Sequence, residues 1–416
     1  MPSSSTPPSL GDLHDEQIET LLRSGAHAAL MSAYFGDVAY RELSHLAKLA
    51  AIRRDERGPS VFILPGIMGS RLGRSPQHAG EIWLHPAAVA EGSLAELRLP
   101  SASLHAVGIM LPGYLKLKLS LEIAGFRPVF HPFDWRSDLI ELGRELLQSI
   151  RASGERRVMV IAHSMGGLVA RAALGQDADL QIAKLVQLGA PNAGSYAPVQ
   201  AMRAVYPTVR KIAALDRLHS AEDLVRNVFL TLPGLYQLLP ALEQDFFDPK
   251  MWPRDELAPN PNLLRQARAS REQLAASDER CFLIAGVNQE TIVSAQLRDS
   301  QLEYTVRRAG DGTVSLASAH WKGARTWYVA ENHGGLTNNN IVLAAIDDIL
   351  RHGDTQRLST HAPAEDRSFT RQVTDAELRR QAVQKVRWES LSLDSRRRIL
   401  DPVFTIEFQA AAAALD

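Results

Sequence analysis

The chain has 416 residues, 45% of them hydrophobic, with 46 Lys and Arg against 47 Asp and Glu. That length holds one large domain or two medium ones, and the apolar fraction can fill a full core. A formal net charge of −1 leaves no global field of either sign, which argues against nucleic acid as a partner, and a single cysteine, Cys281, excludes an internal disulfide.

Residues 1–9 are rich in Ser and Pro and are expected to be disordered. They show no basic start and no apolar stretch behind it, so no signal peptide is expected. No run of 18 or more apolar residues suggests a spanning helix. The single cysteine fits a reducing, cytoplasmic location, and the apolar neighbours of Cys281 suggest a buried, inert thiol. Over residues 10–57, Leu13, Ile18, Leu21, Leu22, Leu30, Met31, Leu43, Leu46 and Leu49 recur at three- and four-residue spacings. This predicts a helical arm that packs on the core or on a partner protein.

Val61-Phe62-Ile63-Leu64 reads as a buried strand, followed at once by Pro65-Gly66-Ile67-Met68-Gly69-Ser70. No Gly-Lys-Ser/Thr follows, so a phosphate-binding loop is disfavoured. Residues 78–119 mix Trp83, Pro86, Pro100 and Pro112 with leucines, which predicts irregular and helical cover rather than sheet. Phe126–Phe130 predicts a strand that runs into His131-Pro132-Phe133-Asp134-Trp135-Arg136. Ligands of parallel sheets bind at the carboxyl edge. Trp135, with Trp83, is therefore an aromatic candidate for a substrate pocket. The alternative is an Asp134–Arg136 clamp with Trp135 as core.

A helix over 139–150 leads to the most informative stretch. Arg157–Ala162 is an apolar, β-branched strand, and Leu168–Leu174 is a helix rich in Ala and Leu. Between them, His163-Ser164-Met165-Gly166-Gly167 leaves room only for a sharp turn with Ser164 at its tip. That is the arrangement of a nucleophile elbow, with Ala162 and Gly166 as the small residues it needs. In such a site one oxyanion donor is the amide after the nucleophile, here Met165. The other comes from the loop after an early strand, here Ile67.

Ile182–Gly189 predicts a further strand, and Ser195 in the turn after it is read as pocket wall. From about 196 to 279 the β pattern stops. Helices are predicted over 209–218, 223–232 and 262–276, between prolines, as a cap or lid. Its apolar stretch Leu232–Pro240 suits packing or an acyl groove, and such a lid can touch a membrane surface transiently. Residues 281–287 resume the sheet, and a shorter strand at 303–307 leads to Gly310-Asp311-Gly312-Thr313-Val314. The strand 326–330 leads to Glu331-Asn332-His333-Gly334, and Asn338 or Asn340 should open the helix 341–350. Ser164, Asp311 and His333 each follow their own strand in the order Ser, acid, His, which predicts a catalytic triad. No Cys/His or His/Glu cluster has metal-ligand spacing, and no metal or other cofactor is expected. Residues 353–416 read as a linker and C-terminal extension. Thr374-Asp375-Ala376-Glu377 is a capping box for a helix through about Ser390, and Phe404–Phe408 is a short strand or docking peptide.

The segments Leu64–Ser70, Phe133–Arg136, Ala162–Gly167 and Gly310–Val314, with His333 after them, resemble the lecithin:cholesterol acyltransferase-like α/β-hydrolases. That group includes the lysosomal phospholipase A2 type and the phospholipid:diacylglycerol acyltransferases. The resemblance covers roughly residues 59–350 in ordered motifs. It implies an α/β-hydrolase fold over 58–352, mostly parallel sheet with helices on both faces and a large helical lid. It also implies Ser164, Asp311 and His333 as triad, Ile67 and Met165 as oxyanion donors, and an acyl lipid as substrate. The chain departs from that group in having no disulfide-bearing lid. The expected function is therefore a serine-dependent acyl-ester hydrolase or O-acyltransferase on lipid esters. A small-ester carboxylesterase and a non-catalytic interaction protein on the same fold are the alternatives.

Overall fold

The computed structural model describes residues 13–53, 55, 57–75, 80–100, 104–364 and 366–380. In chain order the strands among them are β1 (Ser60–Leu64), β2 (Ser70–Gly73), β3 (Glu81–Trp83), β4 (His105–Ile109), β5 (Arg127–Phe130) and β6 (Val158–His163). They continue with β7 (Ile182–Leu188), β8 (Cys281–Gly286), β9 (Thr291–Arg298), β10 (Gln301–Arg308), β11 (Arg325–Val329) and β12 (Asp366–Thr374). Six of them form one sheet in the order β11-β8-β7-β6-β1-β5, and every neighbouring pair is parallel.

A parallel sheet covered on both faces needs strands that are apolar throughout, not alternating. All five residues of β1 and all six of β8 are buried. Successive side chains still divide between the faces with period two. Phe62, Leu64, Val160, Ala162 and Leu185 enter one core, against the helices Leu139–Ala152 and Met165–Gln176. Val61, Ile63, Ile161, Val186 and Leu188 enter the other, against the helices Leu111–Ile123 and Asn340–His352. This is an α/β-hydrolase fold. The N-terminal helices Asp15–Ser24, Ala28–Phe35 and Asp37–Arg53 join the second core through Ile18, Leu22, Met31, Phe35, Leu43 and Ala47.

The topology fixes where a site can form. β1 lies between β5 and β6, so the chain leaves β1 toward one side of the sheet and then crosses back to the other. Such a reversal opens a crevice at the carboxyl ends of the strands. The loop after β1 and the turn after β6 meet there.

Several expectations are corrected. Residues 78–119 are not sheet-free, because β3 and β4 flank β2 in a small antiparallel sheet. These strands are three to five residues long, too short for a readable alternation. The expected single strand at 303–307 is one arm of an antiparallel β9–β10 hairpin, and β12 pairs with β10 as a third strand where a linker was expected. β12 finds its partner about sixty residues upstream, a pairing no local pattern announces. The helices expected at 209–218, 223–232 and 262–276 run Pro207–Leu215, Ala221–Asn227 and Pro261–Glu272. Pro207 and the caps Ser220 and Asn260 start them early. Asn339, not Asn338 or Asn340, caps the helix Asn340–His352.

The capping box at Thr374 forms: Glu377 N–H donates to Thr374 Oγ1 at 3.2 Å, and Thr374 N–H donates to Glu377 Oε2 at 2.8 Å. Arg203, in the segment between β7 and β8, pairs with buried Asp375 at 3.0 Å and with Asp255 at 2.7 Å, and Tyr304 donates to Asp375 at 2.7 Å. These contacts seat the described end of the chain on the insertion. The expected disorder of 1–9, the helix beyond Arg380 and the segment Phe404–Phe408 lie outside the described residues. Among the described residues, no helix is long and apolar enough to cross a membrane.

Candidate active site

Ser164 sits at the tip of the turn between β6 and the helix Met165–Gln176, with φ 53° and ψ −126°. A non-glycine residue held there costs on the order of 1–3 kcal/mol, which surrounding contacts must offset. Ser164 N–H donates to Leu188 O at 2.9 Å, and Gly167 N–H donates to Ser164 O at 2.9 Å. The helix comes so close to the loop after β1 that a Cβ on Gly166 would stand 2.4 Å from Pro65 O. Gly189, at the end of β7, has φ 56°, and a Cβ there would lie 2.9 Å from Asp311 Oδ2 and 3.1 Å from His333 Nδ1.

The structure brings Ser164, His333 and Asp311 together, all buried. His333 Nε2 lies 2.9 Å from Ser164 Oγ, and His333 Nδ1 lies 2.7 Å from Asp311 Oδ2. The Asp311 loop is held by its own backbone. Thr313 and Val314 N–H donate to Asp311 Oδ1 at 2.9 and 2.7 Å, and Gly312 N–H donates to Thr291 Oγ1 at 2.9 Å. Asp311 O in turn accepts from His333 N–H at 2.8 Å, which ties the two loops to each other.

Beneath these residues runs a second chain of hydrogen bonds that sequence reasoning did not find. Gly66 N–H donates to Tyr114 Oη at 2.8 Å, Tyr114 Oη lies 2.9 Å from His163 Nδ1, and His163 Nε2 lies 3.0 Å from His333 O. A carbonyl only accepts, so Nε2 of His163 carries the proton and Nδ1 accepts from the Tyr114 hydroxyl. Burial, and then the adjacent His333 ring, hold the His163 imidazole well below its ordinary value. Burial raises the Tyr114 phenol above its own. Both groups therefore stay neutral and keep these roles. His163 stood in the elbow motif without an assigned task. Tyr114 is 48 residues from Gly66 and sends no local signal.

The loop Pro65–Gly69 approaches Ser164 closely, and a Cβ on Gly66 would lie 2.9 Å from Ser164 Cβ. Among the described residues, the amides of Ile67 and Met165 donate to no backbone carbonyl. Met165 owes this to its place at the helix start, where the first N–H groups have no intrahelical partner. Next to Ser164 lies a cavity of about 40 Å³. Ile67, Met68, Pro191, Ala197, Leu235 and Leu238 give it apolar walls, and Ser195, Tyr206, Thr208 and Thr313 add hydroxyls. Ser195 thus stands where the sequence placed it.

Trp83 and Trp135 do not line this cavity, and that expectation is corrected. Both are fully buried, with ring centroids 5.2 Å apart. Their indole N–H groups are spent on Met68 O at 2.8 Å and Ser70 O at 3.2 Å. They brace the loop after β1 from behind. Arg136 and Asp134 form a clamp, with Nη2 to Oδ2 at 2.6 Å and Nε to Oδ1 at 2.8 Å. Among the described residues, no group of three or more His, Cys, Asp or Glu side chains is disposed to hold a metal ion.

A family model described as the PGAP1-like alpha/beta domain matches residues 137–237, which take in β6 and the turn at Ser164. No curated protein matches. Among solved structures, the chain is similar to the Tle4-Tli4 complex at 13% identity and a TM-score of 0.47, covering 72% of this chain and 100% of that one. It is also similar to mature Bacillus licheniformis lipase BlEst2, at 13% identity and TM-score 0.38, covering 73% and 94%. Staphylococcus hyicus lipase follows at 14% identity and TM-score 0.30, covering 71% and 91%.

Proposed function

We propose that this chain is a serine-dependent acyl-ester hydrolase acting on lipid esters, with acyl transfer to an alcohol as the branch that a dry site would favour. The observation that carries this is the hydrogen-bonded Ser164–His333–Asp311 line opening onto an apolar cavity. His333 takes the Ser164 proton as Oγ attacks the ester carbonyl, while Asp311 holds the Nδ1–H tautomer and stabilises the imidazolium. The Ile67 and Met165 amides receive the oxyanion, each worth on the order of 10²- to 10³-fold in rate. His333 then returns its proton to the leaving alcohol, and water or a second alcohol resolves the acyl-enzyme. A neutral His163 beside His333 matters here, because a second cation would oppose imidazolium formation.

The motifs shared with lecithin:cholesterol acyltransferase-like enzymes support a lipid acyl group and the transfer branch. The cavity volume supports a second reading, a small-ester carboxylesterase. At about 40 Å³ it is well below the roughly 150 Å³ that accommodates benzene. A long acyl chain therefore requires the helices between β7 and β8 to move.

The test is product analysis on purified protein, with phospholipid and a short- to long-chain ester series, with and without a long-chain alcohol. Ser164→Ala is expected to lower turnover on the order of 10⁵-fold or more. Free fatty acid marks hydrolysis, a new ester marks transfer, and turnover confined to short chains favours the carboxylesterase. Turnover retained in Ser164→Ala overturns the mechanism.

A further inference from the structure

Two hydroxyls in the cavity wall, Thr208 Oγ1 and Thr313 Oγ1, stand out because they are buried without a well-formed hydrogen bond. Thr208 is 2% exposed, at the start of the helix Pro207–Leu215, and Thr313 lies on the Asp311 loop. Both line the cavity that holds Ser164. Tyr206 lines it too. Burial pushes its phenol up to about 12, and weak hydrogen bonding from the Thr313 and Thr208 hydroxyls opposes that rise. Three hydroxyls thus meet in the wall of a largely apolar pocket, the two threonines held by no more than weak contacts to the phenol.

An unpaired buried hydroxyl costs about 1–3 kcal/mol, so buried polar groups are ordinarily paired. Packing does not require these two, since Val would fill the same volume. A hydroxyl both donates and accepts, and so does the ligand group best matched to a cluster of hydroxyls. Position says which part of a substrate brings it. His333 hands its proton to the leaving oxygen, so the alcohol portion of the ester lies on the His333–Asp311 side of Ser164. Thr313 is two residues beyond Asp311, and its own N–H binds the Asp311 carboxylate.

Resting on the hydrolase reading above, we propose that Thr208 and Thr313, with Tyr206, form a subsite for a free hydroxyl on the alcohol half of the substrate. The preferred substrates are then esters of a polyol that keeps an unesterified hydroxyl, such as a partial glyceride, over esters of simple alcohols. Sites built to pair a substrate hydroxyl discriminate strongly against analogues that lack it.

The experiment compares kcat/KM for two esters with the same short acyl chain, a glycerol monoester and a propyl ester. A third ester carries its hydroxyl on the acyl chain instead. The proteins are wild type, Thr208→Val, Thr313→Val, Thr208→Ser and Ser164→Ala. Wild type should favour the glycerol ester by about tenfold or more. Each Val variant should lose most of that preference, because kcat/KM falls further for the glycerol ester than for the propyl ester, and Thr208→Ser should keep it. The free Val variants should lose little or no stability, because each removes a hydroxyl that the protein pairs poorly. That stability result separates a ligand-binding role from a structural one. Equal turnover of glycerol and propyl esters, a preference untouched by both Val variants, or a preference confined to the acyl hydroxyl overturns the subsite while the hydrolase reading stands. No Ser164-dependent turnover of any ester overturns both.

Discussion

Removing one oxygen atom tests the network beneath the site. In Tyr114→Phe the ring stays, and the hydroxyl that accepts from Gly66 N–H and donates to His163 Nδ1 is lost. Tyr114 is 3% exposed and both of its contacts are buried, so water has little access to replace it. Each orphaned buried group costs about 1–3 kcal/mol, which puts the loss of folding stability at roughly 2–6 kcal/mol. The catalytic effect should be separate in kind. Gly66 precedes the Ile67 amide, and His163 holds the carbonyl of His333, so on the proposed mechanism the variant loosens the oxyanion donor and the base together. Both act in the transition state more than in the bound ester. kcat should therefore fall, on the order of tenfold to a hundredfold, while KM changes little. Urea denaturation gives the first quantity and steady-state kinetics on a short ester gives the second. A cycle with His163→Asn should show coupling of about 0.5–3 kcal/mol, as for residues in one network. A Tyr114→Phe protein that loses less than about 1 kcal/mol and keeps its kcat would refute the reasoning.

Two further outcomes concern stability. Burial pushes the His131 imidazole down to about 4, against an ordinary value near 6.5. As pH falls the unfolded chain takes up this proton first, so stability present above pH 6.5 is lost between about 6.5 and 4. The loss amounts to roughly 3 kcal/mol at 1.36 kcal/mol per pKa unit. Asp15, whose carboxyl burial raises to about 6, works in the opposite sense as pH falls from about 6 toward 3.8. Comparison with His131→Phe isolates the histidine: the variant should gain roughly 3 kcal/mol on wild type between pH 7 and pH 4. Parallel stability curves would contradict this. Asp375→Ala should cost about 3–5 kcal/mol in urea denaturation, because it leaves Arg203 and the Tyr304 hydroxyl short of a buried partner. The retained Asp255 contact places the value at the lower end, and a loss below about 1 kcal/mol would show that the pairing does not anchor the chain end.

What the sequence revealed and what it concealed follows from the range of the interactions. The parallel sheet was legible because its inner strands are largely buried on both faces and so carry long apolar runs, as Val61–Leu64 and Val158–Ala162 do. The elbow was legible because strand, Ser164 and helix crowd into a few residues, which forces Gly166 and tolerates Ala162. The small antiparallel sheets were not. Their strands are short or polar on their outer side, and β12 acquires its conformation from β10. The Tyr114–His163 link and the Thr208–Thr313 pair escaped for the same reason. Each joins residues distant in the chain, and a single Tyr or Thr looks alike whether its hydroxyl meets water, a backbone amide or nothing.

The segment Asp134-Trp135-Arg136 shows how one set of residues can suit two roles until packing decides. A charged pair and a large ring at the carboxyl edge of the sheet would suit substrate contact. Instead Arg136 is 2% exposed and donates to Leu97 O at 3.2 Å as well as to Asp134. Its own carbonyl accepts from Gly234 N–H at 3.0 Å. A Cβ on Gly234 would stand 2.3 Å from Trp135 O, so only a residue without a side chain lets the insertion come this close. Gln237 Oε1 then accepts from Leu139 N–H at 2.8 Å, and Ser195 N–H donates to Leu238 O at 2.9 Å. Leu235 and Leu238, which wall the cavity, lie within this fastened stretch. The motif therefore acts on the pocket through backbone contacts that fix one wall in place. Widening the cavity for a long acyl chain must come from lining outside this stretch, such as Ala197, Ala201 and Tyr206, or else must break the clamp.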